Sequence, residues 1–214
     1  LEFIANQSVI IIVVCVCFAA MVTILESSYH MKLVIQNDSL VPGFAAMLIL
    51  RELGVVVTAL LLTSRVGAGI AAEVGTMKIT EQIEALEMLG IRPIQYLVVP
   101  RLLAGILGTV ILTIIANIVC IAVAMIVSNL YLGFTLGMFV SSMHRFVGQV
   151  DFVTAITKGA VFGMIIPLVG CYYGFKCELG AEGVGRATTM SVVTSSVAII
   201  VFDFLLSYAF SAFV

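Results

Sequence analysis

The chain of 214 residues contains 62% hydrophobic and 10% charged residues and carries a formal net charge of −2. Soluble domains contain about 25% charged and 45–50% apolar residues, so a mean hydropathy of +1.25 predicts an all-α integral membrane protein. The weak negative charge gives no basic field for nucleic acid and argues against that class of partner.

The cysteines predict neither a disulfide framework nor a metal site. Cys15, Cys17 and Cys120 lie inside apolar runs, where cysteine behaves as a small hydrophobic residue. Neither CxxC nor a Cys/His metal spacing occurs. The first residue is Leu1 rather than Met, so we expect a natural N-terminal portion to precede this sequence.

Several stretches approach the roughly 20 apolar residues that cross a bilayer core. We predict five transmembrane helices, at about residues 8–25, 43–66, 96–127, 152–175 and 190–213. The polar interval after the first span contains Glu26, His30, Lys32, Asn37 and Asp38. Residues 128–151 mix aromatic and polar side chains, which favours a segment lying at the water interface.

The longest polar interval, residues 73–90, predicts a short amphipathic helix between spans two and three. One of its faces is an apolar stripe at helical spacing, and another is an acidic row. The stripe contains Ile79, Ile83, Leu86, Leu89 and Gly90, and the row contains Glu81, Glu84 and Glu87. Helices in lipid headgroups usually carry Lys and Arg on the polar face, so the acidic row favours a cytosolic protein partner.

Orientation follows from the basic residues beside the spans. The loops after spans two and four and their edges hold six basic residues, and the opposite loops hold two. The six are Arg65, Lys78, Arg92, Arg101, Lys176 and Arg186, and the two are Lys32 and Arg145. This asymmetry places the 73–90 helix and the N-terminus in the cytosol, and residues 128–151 and the C-terminus on the outer side of the membrane.

Ionisable residues inside the predicted spans are Arg51, Glu52, Lys158 and Asp203. Such a group costs about 2.5–3.5 kcal/mol near mid-bilayer, so each is expected to pair or to line a cavity. From the helical rise of about 1.5 Å per residue, we place these groups in one layer in the outer half of the membrane.

Two interpretations of this layer stay open. One is a buried Arg51–Asp203 ion pair that fixes helix packing, and the other is a polar patch in a cavity where a lipid headgroup binds. Adjacent residues point about 100° apart on an α-helix, so we expect that Arg51 and Glu52 do not both face one partner helix. At least one is then free for a cavity or a second subunit.

Sequence motifs of catalysis do not occur. There is no GxxxxGK[ST] phosphate loop and no GxSxG nucleophile elbow, and the histidines have no obvious triad partners. We therefore predict no catalytic residue, and a transporter subunit driven by another chain.

Three stretches carry a family resemblance. They are RELG at residues 51–54, TALLLTSRVGAGIAAEVGTMKITEQIEALEMLGIRPIQYLVVPR at 58–101 and GVGRATTMSVV at 183–193. They resemble the MlaE/YrbE permease family, the membrane subunits of ABC transporters associated with MCE proteins. The resemblance extends from the first span to Val214, and the family leads us to expect an interfacial helix before Leu1.

This resemblance implies a core of two copies, each with five spans and that interfacial helix. Each copy would dock on a cytosolic ATPase subunit that binds ATP and Mg²⁺, so no cofactor is expected in this chain. An MCE-domain hexamer would lie on the periplasmic side, and some systems add a STAS-domain protein to the ATPase. The implied cargo is phospholipid moved between the inner and outer membranes.

Carried over by position, residues 73–90 resemble the family's coupling helix, which transmits ATPase closure to the spans. The residues implied in ATPase coupling are Glu73, Thr76, Met77, Lys78, Glu81, Gln82, Glu84, Leu86 and Glu87. Arg51 and Glu52 match the family's Arg-Glu pair that lines the lipid cavity, so they are the implied lipid-binding residues. Lys158 and Asp203 form the expected intramembrane charge network. Val55 replaces a proline common in the family, which predicts a straighter second span.

We therefore predict a homodimeric permease of an ABC-type lipid transporter in a bacterial inner membrane. One alternative is an ion-coupled secondary transporter in which Glu52 and Asp203 carry protons or sodium. The chain has no inverted repeat or paired broken helices, which argues against this alternative. The other alternative is a non-transporting scaffold for an MCE assembly, which lipid-modulated ATPase activity in the reconstituted complex would contradict.

Overall fold

The computed structural model describes residues 2–34 and 40–212, and in that part it is 91% helical with no strand. Its α-helices are α1 (Glu2–Val34), α2 (Val41–Leu48), α3 (Gly54–Leu62), α4 (Ala68–Ile79), α5 (Gln82–Met88), α6 (Val99–Leu132), α7 (Leu136–Phe146), α8 (Gln149–Phe175) and α9 (Ala181–Ser211). Its π-helical turns are Ile49–Leu53, Thr63–Gly67 and Ile94–Val98. The all-α class predicted from the sequence is confirmed.

Within the described residues, five helical stretches are long and apolar enough to cross a membrane, which confirms the predicted number. They are Ser8–Met31, Val41–Ile79, Ile94–Leu132, Gln149–Phe175 and Ala181–Ser211. The second is longer than predicted because helical structure continues through its π turns. Its 39 residues are about twice the roughly 20 that cross a hydrocarbon core. Asn37, Asp38 and the predicted end of the fifth span at Phe213 lie outside the described residues.

The segment 73–90 is not the single helix that its periodicity predicted, because α4 ends at Ile79 and α5 begins at Gln82. The Thr80 N–H still donates to the Thr76 carbonyl (3.0 Å), whereas the Glu81 N–H donates to the nearer Lys78 carbonyl (3.1 Å), which tightens the last turn of α4. Glu81 then adopts a left-handed φ of 58°, which ends the helix in an αL cap. The apolar spacing continues across this break, so the sequence pattern gave no sign of it.

Helix α5 ends in a Schellman motif. Gly90 has a φ of 76°, and its N–H donates to the Glu87 carbonyl (2.9 Å). The Ile91 N–H donates to the Leu86 carbonyl (3.0 Å). These bonds satisfy the last carbonyls of α5 and require a residue that tolerates positive φ, which explains the glycine at this position.

The chain forms two compact units, and the first contains Ala59–Ile111 and Gly159–Leu205. Its helices approach to backbone distance where both carry glycine. A Cβ added to Gly163 of α8 would lie 2.6 Å from the Gly105 carbonyl oxygen of α6, so a larger residue does not fit. Small residues at this crossing allow the close packing that is common between transmembrane helices.

The second unit contains Val9–Thr58, Leu112–Lys158 and the residues from Leu206 onward. Helices α2 and α7 pack closely in it, and the Gly43 N–H donates to the Ser142 hydroxyl (3.1 Å). This unit also contains the charged residues described below.

The predicted interfacial segment, residues 128–151, contains the end of α6, all of α7 and the start of α8. Helix α7 begins where the Thr135 hydroxyl accepts from the Met138 N–H (3.3 Å), a side-chain N-cap. Phe139 on its inner face is only 1% exposed, whereas Leu136 is 54% exposed. An amphipathic helix is therefore present, and its position at the water interface stays a prediction.

Candidate functional site

Arg51 and Glu52 lie in the π-helical turn Ile49–Leu53, between α2 and α3. The Gly54 N–H closes this turn by donating to the Ile49 carbonyl five residues earlier. Such turns interrupt the regular α-helical ladder and recur at functional sites. Arg51 and Glu52, the two residues predicted to bind lipid, therefore both lie in this π turn.

Lys158 of α8 binds this turn through two hydrogen bonds. Its side chain is 0% exposed, and its ammonium donates to the Arg51 carbonyl (3.0 Å) and to Oε1 of Glu52 (2.9 Å). The Ser207 hydroxyl of α9 donates to the same carboxylate oxygen (3.0 Å). A buried ammonium is tolerated only when it is paired and hydrogen-bonded, so Lys158 holds the backbone and the carboxylate of the turn together.

Asp151, at the start of α8, completes the charge cluster, which we define as Arg51, Glu52, Asp151 and Lys158. Its Oδ1 accepts from Nε of Arg51, and its Oδ2 accepts from the Gly148 N–H (2.7 Å). The Asp151 side chain is 2% exposed and that of Arg51 is 27% exposed. The terminal N–H groups of Arg51 have no partner among the described residues, so they remain available to a ligand.

The predicted Arg51–Asp203 ion pair is wrong, because Arg51 pairs with Asp151. Asp203 lies on α9 and is partly exposed. Asp151 was missed because it directly precedes the predicted fourth span. A usable signal existed, since Asp151 stands seven residues before Lys158, about two helical turns, and therefore shares a face of α8 with it.

The expectation that Arg51 and Glu52 do not both face one helix is also wrong, since each pairs with a residue of α8. Their partners Asp151 and Lys158 are separated by about 10.5 Å along the helix axis. Long side chains reach partners at different heights, and the 100° rule applies to α-helical residues rather than to a π turn. The two predicted lipid-binding residues are therefore oriented by the same helix.

A cavity of 40 Å³ adjoins the charge cluster. It is lined by Arg51, Glu52, Thr154, Ser207, Phe210 and Ser211. Glu52 is 42% exposed, and both of its hydrogen bonds go to Oε1, so Oε2 has no donor within the described part of the chain. The cavity thus has a guanidinium and a carboxylate oxygen on its walls, an arrangement suited to binding a small polar group.

The acidic segment, defined as residues 81–89, is exposed, in contrast to the partly buried charge cluster. Glu81, Glu84 and Glu87 are exposed, and no ion pair involves them among the described residues. Met88 and Leu89 beside them are 85% and 74% exposed. An apolar patch rimmed by charge is typical of a surface that contacts another protein.

The predicted coupling residues divide into an anchored set and an exposed set. Glu73 pairs with Arg101 (2.9 Å), and the Lys78 ammonium donates to the Cys177 carbonyl (2.8 Å), so both bind inside the first unit. The Thr76 hydroxyl donates to a carbonyl of its own helix. The exposed or half-exposed side chains that make no ion pair within the described residues are Met77, Glu81, Gln82, Glu84, Leu86 and Glu87.

An open groove of 860 Å³ lies beside α5. It is lined by Ile83, Glu87, Gly90, Ile91, Arg92, Pro93, Ile94, Gln95 and Phe175. Most of this lining is apolar, and Ile94 is 66% exposed. The groove extends the exposed surface of the acidic segment.

Comparison with known proteins identifies relatives of this chain by sequence. The family model described as permease MlaE matches residues 1–209. A probable ABC transporter permease protein of Rickettsia typhi is 40% identical over 157 residues, which cover 73% of this chain and 61% of the relative. A probable ABC transporter permease protein of Synechocystis sp. is 41% identical over 166 residues, which cover 78% and 63%.

A plant protein is similar to the same extent. Protein TRIGALACTOSYLDIACYLGLYCEROL 1, chloroplastic, of Arabidopsis thaliana is 39% identical over 168 residues, covering 78% of this chain and 48% of the plant protein. The matched part of the chain thus spans 61% of the Rickettsia relative and less of the plant relative. Because the family model covers nearly all of its 214 residues, the chain belongs to the MlaE permease family.

Proposed function

We propose that this chain is the permease subunit of an ABC-type transporter that moves phospholipid between the inner and outer membranes of a bacterium. The charge cluster carries the proposal. Arg51 offers unpartnered N–H groups, and Glu52 offers an unpartnered oxygen, beside helices that are otherwise apolar. A phosphate accepts guanidinium N–H bonds well, and acyl chains suit the apolar side chains of spans one and two.

The relatives support the class of protein and the class of cargo. Two bacterial relatives are named as ABC transporter permeases. The plant relative bears the name of a lipid, trigalactosyldiacylglycerol. A diacylglycerol lipid shares its two acyl chains with a phospholipid, so the name agrees with a lipid cargo.

In this proposal two copies form the transmembrane core in the inner membrane, with cytosolic N-termini and periplasmic C-termini. An MCE protein receives or delivers the lipid on the periplasmic side, and a STAS-domain protein is a further partner in some systems. ATP and Mg²⁺ bind to a separate cytosolic ATPase subunit, and this chain supplies no catalytic residue.

The acidic segment and the adjacent groove are the proposed contact with that ATPase. Their acids and exposed apolar residues are free of partners in the described chain, so a second protein can bind them without breaking internal contacts. The helical stretch Val41–Ile79 ends beside this segment and carries Arg51 and Glu52 further up. In this proposal a push on the segment passes the break at Thr80–Glu81 and reaches the lipid-binding pair through that helical stretch.

Lipid transfer tests the proposal. The full-length protein with its ATPase and MCE partners, reconstituted in vesicles, should transfer phospholipid in an ATP-dependent manner. Replacing Arg51 and Glu52 by Gln removes two charge-assisted contacts, so transfer should fall about tenfold or more. Because Asp151 and Lys158 then lose their internal partners, transfer is measured per assembled complex, counted by the ATPase that copurifies. Arg145→Gln is the matched control, since Arg145 is an exposed residue of α7 outside the cluster.

Transfer at the parental rate in the Arg51/Glu52 variant would overturn the headgroup role. Transport by the chain alone without ATP would support an ion-coupled carrier instead.

Crosslinking tests the proposed contact. A photoreactive residue at Glu84 should crosslink to the ATP-hydrolysing subunit. The same residue at Ser141, an exposed position of α7, should not. Crosslinks from Ser141 but not from Glu84 would reverse the proposed orientation.

A further inference from the structure

A cleft between the end of α8 and the start of α9 carries two cations with weak internal partners. It belongs to the first unit, has a volume of about 220 Å³, and its lining includes Tyr173, Lys176, Glu178, Arg186, Ala187 and Met190. A guanidinium nitrogen of Arg186 is 3.9 Å from a carboxylate oxygen of Glu178, which is too far for a hydrogen bond. The Lys176 ammonium is 3.4 Å from the Tyr172 hydroxyl, a long bond at an exposed position. Exposed contacts of this kind contribute little to stability, so both cations can bind a ligand instead.

The backbone that carries these cations is fixed by buried contacts. The Lys78 ammonium of α4 donates to the Cys177 carbonyl (2.8 Å), and Cys177 is 4% exposed. The Glu178 carbonyl packs on Gly183 of α9, where an added Cβ would lie 2.1 Å from its oxygen. The loop between α8 and α9 is therefore held against both α4 and α9. Because Lys78 is close to the acidic segment in the chain, the cleft lies on the same side of the membrane as that segment.

The exposed surface changes from basic to apolar along α9. Arg186 is followed one turn later by Met190, which is 43% exposed, and then by Val193, which is 52% exposed. A phospholipid has the same order of chemistry, with a charged phosphate outside the hydrocarbon core and acyl chains inside it. Basic pockets between transmembrane helices bind anionic lipid headgroups in this way. A soluble anion would use only the basic part of this surface, so a lipid fits it better.

We propose that this cleft binds the phosphate of an anionic phospholipid from the leaflet on the side of the acidic segment. Lys176 and Arg186 bind the phosphate, and Met190 contacts an acyl chain. Two cations against the Glu178 carboxylate leave the cleft net positive, which favours anionic over zwitterionic headgroups. Because the same loop binds Lys78, a bound lipid also stabilises the end of α4 beside its break with α5. This site goes beyond the proposed transport and does not involve the charge cluster.

Quenching of a local tryptophan by brominated lipid measures this binding. The sequence contains no tryptophan, so Met190→Trp introduces a single one at the cleft. The full-length variant is reconstituted in phosphatidylcholine vesicles that contain a rising fraction of brominated phosphatidylglycerol or brominated phosphatidylcholine. The anionic lipid should be preferred about fivefold, as expected for one net basic residue near a membrane surface. Ile200→Trp, an exposed position about 15 Å further along α9, is the control and should show a ratio near one.

Two changes of opposite sign, made beside Met190→Trp, test the charges. Lys176→Gln with Arg186→Gln removes both cations, so the preference should fall to about one. Glu178→Gln removes the competing carboxylate, so the preference should rise several-fold. Glu182→Gln, an exposed acid of α9 that does not line the cleft, is the matched control and should stay within about twofold of the parental ratio. All four side chains are exposed, so folding should be unaffected.

Several results would overturn the inference. These are a ratio near one in the parental Met190→Trp protein, a preference that survives loss of both cations, and an equal gain from Glu178→Gln and Glu182→Gln. Inorganic phosphate at constant ionic strength should leave the ratio unchanged, and its loss would assign the cleft to a soluble anion. Loss of the ratio on adding the ATPase subunit would assign the cleft to that protein. The quenching ratio is independent of lipid transfer, so this inference and the proposed function fail separately.

Discussion

The charge cluster and the acidic segment both contain carboxylates, but their surroundings are opposite. In the cluster, Asp151 is 2% exposed, Lys158 is 0% exposed, and both bind Arg51 or Glu52 of the π turn. In the acidic segment, Glu84 and Glu87 are exposed and make no ion pair among the described residues.

The difference shows that burial decides whether a charged side chain is paired inside the chain or is available to another protein. A buried charge has to be matched inside the chain, so its removal damages folding as well as binding. An exposed charge contributes little to stability, so it is available for recognition by another protein. The two regions should therefore respond differently to mutation.

Removing Lys158 should have the largest effect. Lys158→Met leaves the Glu52 carboxylate and the Arg51 carbonyl without their buried donor, and we expect a stability loss of about 2–3 kcal/mol. Thermal unfolding of the purified protein in detergent measures it. Adding Glu52→Gln to this variant should recover part of the loss, because an uncharged amide is cheaper to leave unpaired. Parental stability of Lys158→Met would contradict the comparison.

Neutralising Asp151 should have the next effect. Asp151→Asn weakens the contact that orients Arg51, and we expect a loss of about 1–2 kcal/mol with reduced phospholipid transfer. Because Asp151 acts through Arg51, the change should lower transfer no further in an Arg51→Gln background. Additive losses in that double variant would assign Asp151 a separate role.

Neutralising the acidic segment should leave folding unchanged. Glu84→Gln with Glu87→Gln removes exposed charges, so unfolding should shift by less than about 0.5 kcal/mol. ATPase activity in the reconstituted complex should nevertheless fall, because the proposed contact loses its charge. Glu182→Gln, an exposed acid of α9, provides the matched control. Equal ATPase activity in both variants would count against a coupling role.

A local effect on stability is expected at the break between α4 and α5. Glu81 has a φ of 58°, which costs an L-residue about 1–2 kcal/mol, so Glu81→Gly should stabilise the protein by up to about 1 kcal/mol. The same replacement at Glu84, inside α5, should destabilise by about 0.5–1 kcal/mol. Hydrogen exchange of the α5 amides reports both changes. A loss at both positions would mean that the break does not depend on the left-handed residue.

Some of the candidate site was predictable because the signals were local. The cost of charge in an apolar span identified Arg51, Glu52 and Lys158 without any contact information. The break at Glu81 escaped prediction because apolar periodicity continued through it. The π turn at residues 49–53 escaped for a similar reason, since an added residue in one turn leaves the apolar composition unchanged.

The sequence by itself determined the number of spans, because an apolar run of sufficient length crosses a bilayer whatever its neighbours are. The tertiary structure decided which charges meet. Arg51 and Asp151 are 100 residues apart in the chain, and their pairing depends on the rotation and register of two packed helices. Helical periodicity places Asp151 on the same face of α8 as Lys158 but carries no information about how that face is turned towards Arg51, so Asp151, rather than Asp203, emerged as the partner only once the helices were packed.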